Sequence, residues 1–270
     1  MLVDARRALD VPTRAAAALL AHGRRAVITG PTAAWLHGCT AIDSRATHVM
    51  VLYGHPSRSR GGLVVHNAPF PSPDDIVELA GLRVFCLERV ISDLLCTARP
   101  RDAIAVVDQA LRLCDGPGQE RLRARLAERL TERPDRRGTR RAAQLLDLAT
   151  GRAESPPESW LLLEVVRLGF PPPAANLPVR SPAGEEVYRL DLAWEGPRIA
   201  LEYNGHAVHA GREAEDERRA EDLRRRGWLV IFVTSEDLAD SRRLERELRA
   251  AFARRGCGSW STGEGTRDMA

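Results

Sequence analysis

Two short apolar runs joined by a Gly-Pro turn, each interrupted by one acidic residue, place the tightest restriction on this chain. They read RLDLAWEGPRIALEYNGHAVH over residues 189–209. Side chains of a strand alternate between faces, so Leu190, Leu192 and Trp194 share one face while Arg189, Asp191 and Ala193 share the other. The second run opposes Ile199, Leu201 and Tyr203 to Ala200, Glu202 and Asn204. With the turn centred on Gly196-Pro197, residues whose numbers sum to 393 lie opposite one another: Trp194 with Ile199, Asp191 with Glu202, Arg189 with Asn204. A one-residue change in loop length would break this register. In it the two carboxylates face each other with Cβ atoms about 5 Å apart, which destabilises the hairpin unless something compensates. The compensation would be a shared proton, an arginine such as Arg189, or a divalent cation. Carboxylate oxygens on a rigid sheet are ligands that Mg²⁺ and Mn²⁺ prefer. The alternative, a solvated face on which the acids have no role, stays open here, although such faces usually carry mixed charges with Thr or Ser.

A chain of 270 residues holds one large domain or two ordinary ones, and 44% apolar with 29% charged residues is a globular composition. No run approaches the roughly 18 apolar residues of a membrane span, and the opening MLVDARRALD lacks the apolar centre of a signal peptide. The expectation is a cytoplasmic protein with no membrane partner. Five cysteines without Cys-x-x-Cys spacing indicate neither a zinc knuckle nor a disulfide framework. All 40 basic residues are arginine. No lysine is therefore available as a Schiff base or general base, while arginine suits bidentate phosphate contacts. From Arg112 to Arg141 ten arginines stand against five acids. Nucleic-acid footprints have this pattern, and so, more commonly, do solvated helices laced with ion pairs.

Residues 1–24 have helical composition and stop at His22-Gly23. AVITGPTAAWLHG reads as a strand, a turn and a short helix with Pro31 where a helix tolerates it, and THVMVLY and GLVVHNA read as strands. A helical block starts near Leu87 and is interrupted by the Pro-, Gly- and Arg-containing TERPDRRGTRR. After GRAESPPE the pattern becomes helix, strand, strand, strand, helix, strand, helix. Ser155 opens the first of these helices, and the apolar run WLVIFVT gives the last strand. The fold class predicted is α/β in two domains: an N-terminal α+β accessory domain, then a C-terminal α-β-β-β-α-β core on a mixed sheet. Trp194 and Trp228 are assigned to the core.

SPPES, DLAW, the hairpin into EYNGH, a charged helix and GWLVIFVTSEDL, in this order, resemble the very-short-patch-repair-like endonuclease domain of the PD-(D/E)XK superfamily over residues 154–255. The resemblance implies a restriction-endonuclease-like core and Mg²⁺- or Mn²⁺-dependent hydrolysis of nucleic-acid phosphodiesters, DNA foremost. It makes Asp191 and Glu202 the metal pair, Glu158 an additional helix acid, and puts Asn204 where the superfamily pattern has lysine. A metal on the pair would activate water and neutralise charge on the scissile phosphate. His206 and His209 follow closely enough to act as general base or to orient the water. Asparagine cannot serve as a base, so weakened catalysis is a parallel reading. Ser155-Pro156-Pro157-Glu158 is equally a capping box. The helix REAEDERRAEDLRRR offers i,i+4 pairs at Glu215–Arg219, Glu221–Arg225 and Asp222–Arg226. Arg189, Arg212, Arg218 and Arg219 are the candidate DNA contacts.

ITGPTAAWLHG, the two strands after it and LERVISDLLCTA resemble the AbiEi antitoxin family over about residues 25–115. The 24 residues before this region are too few for the winged helix-turn-helix that commonly opens such proteins. His37, His48, His55 and His66 lack metal-ligand spacing. The domain plan is a helical segment 1–24, an antitoxin-like domain 25–115, an Arg-rich helical connector 116–153, the endonuclease-like domain 154–255 and a disordered tail 256–270. The functional expectation is a metal-dependent endonuclease in a defence, repair or toxin–antitoxin setting. The alternatives are a catalytically weakened DNA-binding regulator and a protein that works through partner contacts of its N-terminal domain.

Overall fold

A computed structural model describes residues 7, 9–69, 71–204 and 213–257, with the side chains of 213–216 also left undescribed. The chain divides into two compact units, Met1–Gly151 and Arg152–Ala270. The first contains α1 (Val11–His22), β1 (Val27–Ile28), α2 (Gly30–Leu36), β2 (Thr47–Leu52), β3 (Leu63–Ala68), β4 (Ile76–Leu79) and β5 (Leu82–Phe85). Helices α3 (Leu87–Thr97), α4 (Pro100–Arg112), α5 (Gly116–Glu132) and α6 (Thr139–Leu148) follow. The starts are written locally. Asp10 accepts from Thr13 N–H at 3.2 Å to cap α1, Asp115 accepts from Gly118 N–H at 2.7 Å to cap α5, and prolines open α2, α4 and α5.

The sheet of this unit runs β3-β2-β1-β5-β4. β2 and β3 are parallel although only the polar stretch 53–62 joins them. β4 and β5 form a hairpin that the sequence pattern does not announce, turned by Ala80 and Gly81 at φ 49° and 78°. The segment expected as a connector belongs to the core of this unit instead. α5 and α6 pack on α3 and α4, burying Leu122, Leu126, Leu130, Ala142, Leu145 and Leu146, each leucine contributing about 1.5–3 kcal/mol. Asp108, 1% exposed, accepts from Thr150 N–H at 2.7 Å and Gly151 N–H at 2.6 Å, fixing the chain after α6.

The ten arginines between Arg112 and Arg141 are in large part structural. Arg123 donates to the carbonyls of Leu146 and Ala149 at the end of α6, and Arg141 to those of Cys96 and Ala98 at the end of α3. Arg136 does the same for Leu130 and Thr131 in α5. Arg129 pairs with Asp75 and Arg133 with Asp93, while Arg89 bridges both aspartates. Guanidinium groups thus occupy carbonyls that a helix C-terminus leaves unpaired, at the negative end of its dipole.

The second unit contains α7 (Pro156–Arg167), β6 (Ala174–Arg180), β7 (Glu186–Trp194), β8 (Ile199–Tyr203), α8 (Glu213–Arg225), β9 (Leu229–Val233), α9 (Ser235–Ala239) and α10 (Arg242–Arg254). Its sheet order is β6-β7-β8-β9, antiparallel at the first two pairings and parallel at the last. Both faces are covered. Leu223 of α8 packs with Ala193 and Ala200, while Phe252 of α10 meets Trp194 edge-on at 5.0 Å and stacks on Phe170 at 5.4 Å. Trp194 and Trp228 are core residues, as the sequence predicts. Residues 258–270 of the expected tail, and most of residues 1–8, lie outside the described residues.

Candidate functional site

The hairpin has the register read from its turn: Leu192 faces Leu201, Ala193 faces Ala200 and Trp194 faces Ile199. Its turn is the tetrapeptide Glu195–Arg198, closed by Arg198 N–H on Glu195 O at 3.1 Å, with Arg198 in the left-handed region at φ 51°. The ladder ends at Leu192–Leu201. Beyond it, Asp191 Oδ2 accepts from Tyr203 N–H at 2.8 Å. The expected pairing of Arg189 with Asn204 does not form, because the β7–β8 ladder stops at Leu192–Leu201; Arg189 is registered only with Pro178 of β6, and Asn204 N–H donates to Val233 O of β9.

The acids do not lie on a solvated face. Glu202 is 7% exposed and Asp191 is half-buried, beneath α8. The compensating cation is Arg219, whose Nη2 donates to Glu202 Oε2 at 2.8 Å and to Arg189 O at 2.7 Å. Its guanidinium lies 5.7 Å from the Tyr188 ring centre, with Arg226 at 6.0 Å from the same ring. Glu202 Oε1 is buried with no hydrogen-bond partner among the described residues. Burial pushes the Glu202 carboxyl up to about 7, reinforced by the Asp191 charge and opposed by Arg219. Burial likewise pushes Asp191 up to about 6, opposed by the Tyr203 N–H and reinforced by the Glu158 charge. Near neutrality the pair therefore holds a proton, and Arg219 and that proton together supply the compensation the sequence demanded. Asp191 and Arg219 open onto a polar cleft of about 430 Å³ that Tyr188, Arg189, Asn176 and Glu154 also line.

Other predicted residues are placed differently. Glu158 is 8% exposed and takes Ser155 Oγ on Oε1 at 2.7 Å, Glu154 N–H on Oε2 at 2.8 Å and Asn176 Nδ2 on Oε2 at 3.3 Å. It closes no capping box, since Ser155 donates to it rather than capping the helix, and both its oxygens are engaged in holding the start of α7. Arg189 is ion-paired with Glu186 at 2.7 Å and Glu154 at 3.2 Å. Arg218 and Asn204 are exposed. His206, His209 and Arg212 lie outside the described residues. Of the expected helix pairs, Asp222–Arg226 forms at 2.7 Å, but Arg225 turns to Asp222 rather than Glu221, and Arg219 is on Glu202. Among the described residues, no group of three or more His, Cys, Asp or Glu side chains is arranged to hold a metal ion.

The first unit brings together two residues whose sequence spacing gave no signal. His48 of β2 and His66 of β3 meet through Nδ1 and Nε2 at 3.0 Å, with ring centres 5.3 Å apart. That separation is the nitrogen distance plus two ring radii, so the rings meet head-on and share a proton rather than converge on a third point. Burial and the neighbouring ring push His48 down to about 4, and burial lowers His66 against the pull of Asp93. The parallel register that places Met50 beside His66 could not be read from the sequence.

The AbiEi antitoxin C-terminal domain matches residues 25–167, more than half of the chain. The chain belongs to that family. The AbiEi match begins where the sequence resemblance begins and extends past residue 115 through α5, α6 and α7. An uncharacterized protein of Mycobacterium tuberculosis, strain ATCC 25618 / H37Rv, is 33% identical over 260 residues, covering 91% of this AbiEi-family chain and 86% of the relative. The counterpart in strain CDC 1551 / Oshkosh gives the same figures. No solved structure matches the chain. No helix among the described residues is long and apolar enough to cross a membrane.

Proposed function

We propose that this AbiEi-family chain is an antitoxin-like regulator in a toxin–antitoxin or abortive-infection setting, acting by binding nucleic acid rather than by cutting it. Family membership over residues 25–167 supplies the setting. The observation that carries the binding reading is the internal neutralisation of the acid pair: Arg219 sits on Glu202 at 2.8 Å, and both acids are raised toward neutrality. A pair whose charge is balanced by its own protein needs no added cation for that balance. Exposed Arg218 and the cleft beside Tyr188 give α8 a surface for phosphate contacts.

A second reading, metal-dependent hydrolysis of DNA phosphodiesters, is favoured by one observation, the buried and unpartnered Oε1 of Glu202. An acceptor left bare in a core costs about 1–3 kcal/mol, and a cation would supply the missing partner. Asp191 and Glu202 would hold Mg²⁺ or Mn²⁺, which need only one or two carboxylates beside substrate phosphates. When bound, the cation would neutralise charge on the phosphate. In this reading Arg219 must leave Glu202, and the order α7-β6-β7-β8-α8-β9 serves as the restriction-endonuclease-like core.

One experiment separates the two. The chain and its Asp191→Asn/Glu202→Gln form are incubated with supercoiled plasmid in Mg²⁺ and in Mn²⁺, and run in gel shifts on duplex from its own promoter region. The regulator reading expects equal gel shifts and an intact plasmid for both proteins. Metal-dependent nicking that disappears in the double variant would replace it with the second reading.

A further inference from the structure

The open edge of the second unit's sheet carries a surface of another kind. β9 is the last strand of its sheet. In its parallel ladder with β8, Leu229 N–H donates to Arg198 O and Val233 O accepts from Asn204 N–H, with Ile199 beside Leu229 and Tyr203 beside Val233. Leu229, Ile231 and Val233 therefore direct their backbone groups at β8, and Val230 and Phe232 direct theirs outward. Arg243 agrees with that direction, since its Nη2 donates to Phe232 O at 2.8 Å from outside the sheet. Among the described residues, Val230 N–H, Val230 C=O and Phe232 N–H remain as a short template for another strand.

A groove of about 640 Å³ runs beside this edge, floored by Trp228, Val230 and Ala251 and rimmed by Arg224, Arg254 and Arg255. Leu229, Val230 and Phe232 are only half-buried. Arg224 and Arg254 are exposed and form no ion pair among the described residues. Glu247, the acid among the lining residues, is taken by Arg243 at 2.7 Å. The rim is therefore positively charged. A second copy would bring its own arginines to the same place and be repelled. A nucleic acid would use the arginines but leave the apolar floor uncovered and set phosphates against the Val230 carbonyl.

We propose that the β9 edge and this groove receive an extended, acidic segment of a partner protein, added to the sheet as a fifth strand. Its backbone bonds to Val230 and Phe232, its apolar side chains alternate onto the floor, and its carboxylates reach Arg224 and Arg254. This surface is independent of the acid pair between β7 and β8.

The probe is a fluorescein-labelled eight-residue peptide of alternating Glu and Val, titrated into the full chain by anisotropy, with amide hydrogen exchange read at Val230 and Phe232. Saturable binding with protection of those two amides is expected. Arg224→Glu/Arg254→Glu and, separately, a peptide N-methylated at alternate amides are each expected to weaken it about tenfold or more. Asp191→Asn is expected to leave it unchanged. The proposal is overturned if the two amides stay unprotected, if the N-methylated peptide or a Lys/Val counterpart binds equally well, or if a single-stranded oligonucleotide protects the same amides more strongly than the peptide does.

Discussion

Glu202 binds its proton more tightly in the folded chain than in an unfolded one. Its carboxyl stands at about 7 against an ordinary 4.5, so between those values the native state holds more protons and stability falls as pH rises. The contribution is fully present below about 4.5 and gone above about 7. In urea titrations at stepped pH, Glu202→Gln is expected to flatten that decline by up to ~3 kcal/mol, since each tenfold gain in proton affinity is worth ~1.4 kcal/mol. Parallel curves for the two proteins would show that the group titrates as an ordinary glutamate. The nearness of Asp191 to Glu202 is legible in the sequence, because strand alternation and a four-residue turn fix the register of residues 192–201, one step short of the two acids. Arg219 is not. It reaches Glu202 from another element, and nothing local distinguishes it from Arg218 beside it. Glu158 is half legible: the spacing to Ser155 announces a helix start, but its donors include Asn176, which only the sheet brings near.

At the scale of elements, capping and turn chemistry decide what can be foreseen. Helix starts with Asp or Pro are visible, whereas the α5–α6 pair reads as a linker because its surface is arginine-rich and its apolar positions sparse. What welds that pair to α3 is invisible locally. Gly138 is in the left-handed region at φ 75°, and a Cβ there would lie 2.4 Å from the carbonyl oxygen of Cys96. Gly138→Ala is therefore expected to lower stability by ~3 kcal/mol or more, through backbone strain plus a clash with rigid main chain. A shift of the urea midpoint checks this; an unchanged midpoint would mean that α6 moves off α3 freely. The β4–β5 hairpin is hard to see because Ala80-Gly81 is a weaker turn signal than Asn-Gly, and its strands adjoin the helical block.

Across the whole molecule the two units respond to acid in opposite directions. In the first, the head-on pair of His48 and His66 is held neutral, with His48 down at about 4 against an ordinary 6.5. A depressed histidine makes the native state the poorer proton binder, so its contribution is lost as pH falls from about 6.5 toward 4. In the second, the acid pair gains over the same interval. Hydrogen exchange at pH 5 and pH 7, corrected for intrinsic rates, is expected to show easier opening at Val49 and Val51 on acidification and harder opening at Leu201 and Ile231. Equal changes in both regions would sink the assignment of these groups. Each unit's core is foreseeable from apolar periodicity, but the meeting of His48 with His66 depends on a parallel pairing across a short loop that no local pattern announces.

The arginines on the helix ends carry a consequence for alkaline solution. Carbonyls of α3, α5 and α6 are held by guanidinium groups, and arginine keeps its charge beyond about pH 12. A protein relying on lysine starts shedding ammonium protons near about pH 10, and its helix termini loosen together. Here those clasps outlast every other ionisable group in the chain, so the basic limit of the fold is set by its few tyrosines and buried thiols, among them Cys39, whose proton burial retains to about 12.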